Sequence, residues 1–441
     1  MRVCVVGSGG REHALALALA RTAEVIVSPG NPGMPGTPVG GYPISITEIP
    51  PESVRADLWV IGPEQPLVDG LADKLRADDK LVFGPGADGA RLEGSKAFMK
   101  EVLAEAGVAT ARYGAFDEVR PAHEFLAQLA GPWVVKTDGL ASGKGVLVTD
   151  DLAEAEADVI AKLSGDSFGD AGRRVVVEEG LVGAECSLLV LCDGRRIAAL
   201  PVAQDYKRLE DGDGGPNTGG MGAVSAVGLV DDGLVDRILD ESVEPLVAAL
   251  RRRGIDYRGV LYAGLILTVD GPKVLEYNVR FGDPETQVVL PRVNHDITGL
   301  LAEAAEGRLR TDPRATTEAG VCVVMASAGY PSGPRSGDPI EGLDRAGALP
   351  SVSVLHAGTA LDPQGRLVTA GGRVLGVTAT GPTIGEARSR AYGGTGLISW
   401  DGVQYRTDIA AGLESATTVG AGVAGRGRGA DEAKQAQEAE R

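Results

Sequence analysis

Short apolar runs closed by glycine or proline open the chain. VCVVG (Val3 to Gly7) leads into glycines and then into HALALALART, whose alanines and leucines propagate a helix, so the start predicts a strand, a turn and a helix. EVIVSPGNPG, DLWVIGPEQP and KLVFGPG repeat the same grammar of an apolar run ended by Gly-Pro punctuation. Runs of this kind predict a parallel sheet with ligands at the carboxyl ends of its strands, over residues 1–100. After a helix around Lys96 to Ala106 the pattern changes. PWVVKTDGLASGKGVLVTD, a helical segment and RRVVVEEGLVGAECSLLVLCDG read as hairpins with a helix between them, an α+β region over residues 101–320 with a subdomain about 117–190. From Val321 short strands resume (VCVVMAS, SVSVLHAG, GRVLGVTAT), predicting a small β-rich domain over 321–416. Residues 417–441 lack aromatic side chains and are expected to be a disordered tail. No internal repeat is visible.

One strand carries unusual polar positions. In LEYNVRFGDPE, Leu275, Tyr277, Val279 and Phe281 alternate with Glu276, Asn278 and Arg280, the period of a half-buried strand. A solvated outer face accounts for such a pattern, but Asn is a poor strand former, and the run enters a turn holding Asp283 and Glu285. That crowding of oxygen ligands asks for a cation.

Composition narrows the classes. A chain of 441 residues suggests about three domains, and 43% hydrophobic residues is the composition of a soluble globular enzyme or binding protein. With 43 Lys and Arg against 61 Asp and Glu, the net charge of −18 argues against a general grip on nucleic acid or anionic membrane. Cys4, Cys186, Cys192 and Cys322 form no CxxC pair, so buried thiols are expected rather than a zinc site or a disulfide framework. The amino-terminal apolar run is too short for a signal peptide and no run reaches transmembrane length, which places the expected protein in the cytoplasm.

Three glycine-rich loops remain. GSGGREH (Gly7 to His13) lies between strand and helix, where an anion is favoured, yet Glu12 occupies the sixth position of GxGxxG and opposes a dinucleotide pyrophosphate. Arg11 and His13 are candidates to receive a phosphorylated sugar; a plain turn closing the βα unit is the other reading. KTDGLASGKGV (Lys136 to Val146) is one residue short of the P-loop spacing and has Gly145 where that motif holds Ser or Thr. It joins two strands, and predicts a hairpin flap presenting Lys136 and Lys144 to phosphates. QDYKRLEDGDGGPNTGGMGA (Gln204 to Ala223) is too long and too polar for a simple turn. With lysine-flanked loops nearby, Glu276 and Asn278 suit Mg²⁺ bridging nucleotide phosphates.

These motifs together resemble the phosphoribosylamine–glycine ligases of the ATP-grasp superfamily. The likeness runs from about Met1 to Gly412 through GSGGREHA, PGNPG, GPEQPLV, FGP, LEGSKAF, KTDGLASGKGV, VVEEGL, QDYKR, GPNTGGMGA, LYAGL, EYNVRFGDPETQ, HAGT and GGRVLGVTA. The resemblance implies an N-terminal Rossmann-like domain, central ATP-grasp domains and a small C-terminal β-rich domain. It implies ATP-dependent ligation of glycine to 5-phosphoribosylamine through glycyl phosphate, in purine biosynthesis, with Mg²⁺ or Mn²⁺, by a monomer without nucleic-acid or membrane partners. Glu276 and Asn278 match the metal ligands. Lys96, Lys136, Gly143, Lys144 and Gly145 match nucleotide contacts, Glu178, Glu179, Gly180 and Leu181 the adenine hinge, and Glu185 the acid on the ribose. Arg280, Lys144, Asp205 and Asp283 are the implied catalytic residues. Gly9, Gly10, Arg11, Glu12, His13, Pro29, Gly30, Asn31, Pro63, Glu64, Asn217, Thr218, Gly219, Gly220, Met221, Gly222, Arg280 and Asp283 are the implied substrate contacts. Many ATP-grasp enzymes add a third acid on the preceding strand, but LYAGLIL has no carboxylate. Another ATP-grasp ligase, or a nucleotide sensor without turnover, stays open at this point; a dehydrogenase fails on Glu12 and on the absence of an acid ending EVIVSPG.

Overall fold

The apolar runs of the first hundred residues build one parallel sheet. In the computed structural model, which describes residues 1–141, 145–165, 173–226 and 230–413, its strands lie in the order Ile44–Ile46, Glu24–Pro29, Arg2–Gly7, Leu58–Ile61 and Val82–Phe83. Val3, Val5, Val25, Val27, Leu58 and Val60 are fully buried, as runs covered on both faces require. Strand order reverses between Arg2–Gly7 and Leu58–Ile61. The turns after the strands, which hold Gly9, Gly30 and Pro63, therefore surround one crevice.

The helix Lys96–Ala106 forms where the sequence predicts it. Ser95 caps it by accepting the Phe98 N–H at 3.1 Å, and Gly107 ends it in the left-handed region. Next comes a four-stranded antiparallel sheet in the order Tyr113–Phe116, Val175–Glu179, Trp133–Thr137 and Val146–Thr149. Helices Val119–Leu126 and Leu152–Leu163 cover it, and Leu126, Val135, Val159 and Val177 form its own small core.

The largest sheet is antiparallel along its main path: Gly271–Asn278, Arg258–Thr268, Ala184–Asp193, Ala203–Asp205, Gly222–Ser225, Ala319–Ala326, Arg373–Gly381 and Val352–His356. Position 321 lies within it, Val321 pairing with Val224, so central and C-terminal segments share backbone hydrogen bonding. The four cysteines are buried and free. Among the described residues no helix is long and apolar enough to cross a membrane.

The strand of the LEYNVRFGDPE motif departs from its expected alternation. Glu276 pairs with Gly264 while Val274 pairs with Leu265, which leaves Leu275 as the extra residue of a bulge. Val274, Tyr277, Val279 and Phe281 are therefore the buried positions and Leu275 is only half-buried. The strand also ends at Asn278, so Arg280 lies in the following bend. The tail expected over 417–441, Gly143 and Lys144 lie outside the described residues.

Candidate functional site

The bulged strand ends within a cluster of charged side chains. Glu276 and Asn278 share one face, Asn278 Nδ2 lying 3.4 Å from Glu276 Oε1. Burial pushes the Glu276 carboxyl up, but Lys207, Lys136, Lys96 and the Asn278 amide outweigh it and hold the group below its ordinary value. Those three lysines come from three separate segments. Lys96 is the first residue of its helix. Asp138, in the glycine loop, fixes that helix end by accepting the Ala97 N–H at 2.7 Å and the Ser95 hydroxyl at 3.1 Å. Among the described residues Lys96 makes no ion pair; its ammonium reaches only the Gly139 carbonyl, at 3.5 Å. Burial lowers its pKa, against the pull of Glu276.

Lys136 is buried on Trp133–Thr137. It donates to the Leu275 carbonyl at 3.2 Å and lies 2.9 Å from Glu178 Oε1. Lys207 lies 2.7 Å from Glu185 Oε2 and 3.5 Å from Asp205 Oδ1, and these acids with Glu276 raise its pKa against burial. Burial first, and then Glu185 and Glu276, push Asp205 up. Among the described residues no group of three or more His, Cys, Asp or Glu side chains is placed to hold a metal. A divalent cation on Glu276 and Asn278 would take its remaining ligands from a nucleotide and water. Two hard oxygen donors fit that use, and the carboxylate is kept ionised for it.

A second charge network lies behind the first. Arg280 sits between Glu64 (3.3 Å) and Glu93 (2.9 Å) and donates to the Phe281 carbonyl. Arg11 joins from the first glycine loop, 3.9 Å from Glu64, and donates to the same carbonyl at 3.3 Å. Arg280 thus closes a junction of the N-terminal and central regions instead of standing open to a phosphate. Asp283 is likewise committed: its Oδ2 accepts from Arg373 at 3.0 Å, its Oδ1 from Gln287 at 2.6 Å. Burial raises its carboxyl, but Arg373 and Arg11 bring it below the usual range. Arg373 also donates to the Gly219 and Gly220 carbonyls, while Tyr330 accepts the Gly219 N–H. The C-terminal region therefore shapes this loop.

Several expected contacts serve the fold. Glu178 is buried between Lys100 and Lys136, so of the hinge residues it is not a side chain open to an adenine. Glu179 accepts the Arg112 N–H, and the Gly180 N–H goes to the Pro132 carbonyl. Leu181 is half-buried beside exposed Val182, and Gly145 is buried, its carbonyl accepting the Thr137 N–H. Glu12 closes the turn before its helix by accepting from the Gly9 N–H and Arg11 Nε. His13 is buried against His356 and accepts that residue's N–H at Nδ1; burial, then the charge of His356, holds it down to about 3. It is neutral, and no cation for a phosphate. Asn31 spends its amide on the Ser8, His356 and Ala357 carbonyls, its oxygen on the Gly33 N–H and the Thr359 hydroxyl. Gly222 opens a buried strand and Met221, just before it, is also buried. Thr218 is buried and donates to the Lys207 carbonyl, fixing that lysine's backbone.

Of the remaining expected residues, Gly10 is buried at the start of its helix, Pro29 is exposed at its strand end, and Gly9, Gly30, Pro63 and Asn217 are half-buried. Gly220 has φ +109°, and a Cβ there would lie 2.5 Å from Pro284 Cδ, so both backbone and space require glycine. Sequence reasoning missed Lys207, Arg373, Asp138 and Gln287, and gave Glu285 no role beyond a crowd of carboxylates. Gln287 leaves Oε1 buried without a partner among the described residues. Burial, then Asp205, push Glu285 up to about 7 while Tyr262 donates to it at 2.8 Å. All of them lie in motifs already quoted, Arg373 in GGRVLGVTA; none stands out by residue type alone.

Comparison with known proteins covers the same ground. Models of the phosphoribosylglycinamide synthetase N domain, ATP-grasp (A) domain and C domain match residues 1–93, 94–286 and 320–412. The phosphoribosylamine–glycine ligase of Streptomyces coelicolor is 48% identical over 422 residues, covering 93% of this chain and 99% of the relative. That of Caulobacter vibrioides is 46% identical over 423 residues, covering 93% and 97%. The crystal structure of the Thermotoga maritima enzyme of that name superposes with a TM-score of 0.81 at 34% identity, over 93% of this chain and 100% of the other. A biotin carboxylase domain from Hydrogenobacter thermophilus, solved with MgADP, shares the fold at a TM-score of 0.67 and 17% identity, over 92% of this chain and 91% of its own.

Proposed function

The chain belongs to the phosphoribosylglycinamide synthetase family and is an ATP-dependent ligase joining glycine to 5-phosphoribosylamine; we propose that it works through glycyl phosphate in the cleft around Glu276. The observation that carries this reading is Glu276 held ionised by lysines from three segments, with Asn278 beside it.

A carboxylate resists attack by an amine, so glycine first takes the γ-phosphoryl group of ATP and ADP departs. The amine nitrogen then bonds to the acyl carbon, the carbon–oxygen bond to phosphate breaks, and the amine loses a proton. Phosphoryl transfer asks the protein mainly for position and charge. Lys96 and Lys136 supply the fixed cations for the phosphates, and Lys144 belongs with them through its motif. Lys207 exchanges its hold on Glu185 for the nucleotide, which frees Glu185 for the ribose hydroxyls. Glu276 and Asn278 would hold Mg²⁺, which supplies charge neutralisation at the phosphates. Asp205 faces an amine of the substrates, because Asp283 is already committed to Arg373. The crevice of Gly9, Gly10, Pro29, Gly30 and Pro63 receives the phosphorylated sugar. We place the protein in the cytoplasm as a monomer.

Glycine, ATP and freshly generated phosphoribosylamine should together yield ADP and phosphate, and omission of any one should stop turnover. ADP formation independent of glycine would overturn the reading.

A further inference from the structure

Lys100 lies one helical turn after Lys96, with no exposure at all. Its ammonium donates to Thr110 Oγ1 at 2.7 Å and to Glu178 Oε2 at 2.9 Å. The other oxygen of Glu178 lies 2.9 Å from Lys136 Nζ. Both ends of this chain of contacts grip the strand that carries Glu276: Thr110 donates its hydroxyl to the Val274 carbonyl at 2.6 Å, and Lys136 donates to the Leu275 carbonyl at 3.2 Å. The bulge leaves the Leu275 carbonyl available for that contact.

Stability alone is a poor reason for this arrangement. Removing each ion from water costs on the order of several kcal/mol, and well-packed apolar groups of similar volume are often as stable as a buried ionic trio. What the trio holds that an apolar replacement lacks is charge: two ammonium groups and one carboxylate, one unit positive in sum.

We propose that Lys100 is a positioning residue for phosphoryl transfer: by taking half of the Glu178 carboxylate it leaves Lys136 incompletely neutralised and fixed beside Glu276, ready for nucleotide phosphates. The inference rests on the assignment of Lys136 to the nucleotide. Without Lys100, Glu178 turns wholly to Lys136 and cancels it. Without Glu178, two buried ammonium groups repel and Lys136 loses its anchor. Without both, Lys136 again carries the single positive charge of the native trio.

That balance predicts a recovery. Lys100→Met, Glu178→Gln, the double variant and Lys136→Met are made in the full chain, each close to the native side chain in volume. ATP affinity in the presence of Mg²⁺, kcat and thermal midpoint are measured for each. Each of the first two single variants should weaken ATP binding and lower kcat by about tenfold, and the double variant should return both to within about threefold of wild type. A double variant as impaired as the worse single one, or more, would show that Lys100 and Glu178 only support the fold, and would overturn the proposal. Should Lys100→Met fail to fold, Glu178→Gln against the double variant reads the same coupling: adding Lys100→Met must improve ATP binding. Lys136→Met with unchanged ATP affinity and kcat would instead remove the nucleotide assignment, a result distinguishable from failure of the charge balance.

Discussion

Glu276 is the charged member of the pair proposed to hold the metal, half-buried beside Asn278 and held ionised by three lysines. Glu276→Gln should lower kcat by roughly 10²-fold or more, with the thermal midpoint nearly unchanged, because it removes the one charged ligand and keeps the side chain's volume. Retention of wild-type kcat at saturating Mg²⁺ would return Glu276 to the status of a surface group. That the two side chains lie together is legible in the sequence, since they sit two positions apart on a polar strand face. Other residues are illegible there for a physical reason. Glu178 reads as part of a hinge whose backbone meets the base, and nothing local announces its side chain's partner Lys100, which lies 78 positions away and meets it only on folding. His13 reads as a cation beside a glycine turn, but burial against His356 keeps it neutral. Residue type suggests a role; the charge state is set by neighbours distant in sequence.

Elements are legible where local rules decide and misread where pairing decides. The helix Lys96–Ala106 follows from its apolar spacing, its serine cap and its terminal glycine, all local features. The strand Gly271–Asn278 does not, since its bulge depends on the register against Arg258–Thr268. The polar glycine segment after Gln204 proves to be two short paired strands, Arg208–Glu210 and Gly214–Asn217, followed by a turn pinned by Arg373 and Tyr330. Gly220→Ala tests that turn. With φ +109° and Pro284 in the way, the substitution should cost about 1–3 kcal/mol of stability and lower kcat/KM about tenfold. Unchanged kcat/KM would separate the turn from catalysis. Arg373→Lys should act similarly and more weakly, raising substrate KM with a smaller effect on the melting temperature, because an ammonium cannot bridge Asp283 and the Gly219 carbonyl as a guanidinium does. A normal KM would mean that the bridge has no part in holding the loop.

At the scale of the whole molecule, the domain grammar is legible but the shared sheet is not, because strand pairing across position 321 leaves no mark in local composition. The N- and C-terminal regions also meet at His13 and His356, whose burial brings them to about 3 and about 4. Both folded values lie below the unfolded value of about 6.5, so the folded state binds fewer protons and stability falls as pH drops below about 6.5. Above that value the two histidines add no pH dependence. The urea midpoint should therefore decline from pH 7 to pH 5, and more steeply in wild type than in His13→Gln, a comparison that sets aside carboxylates titrating in the same window, such as Glu285. Equal slopes would contradict the buried pair. The central claim is that these regions together form a site in which glycine is phosphorylated before it meets the amine. Positional isotope exchange tests it most directly, using ATP labelled with ¹⁸O at the β,γ-bridge, in the presence of glycine and an unreactive phosphoribosylamine analogue. ADP formed reversibly rotates its β-phosphate before ATP re-forms, so the label should scramble into the non-bridging β-oxygens when glycine is present and stay in place when it is absent. Scrambling at the same rate without glycine would contradict a glycyl phosphate intermediate.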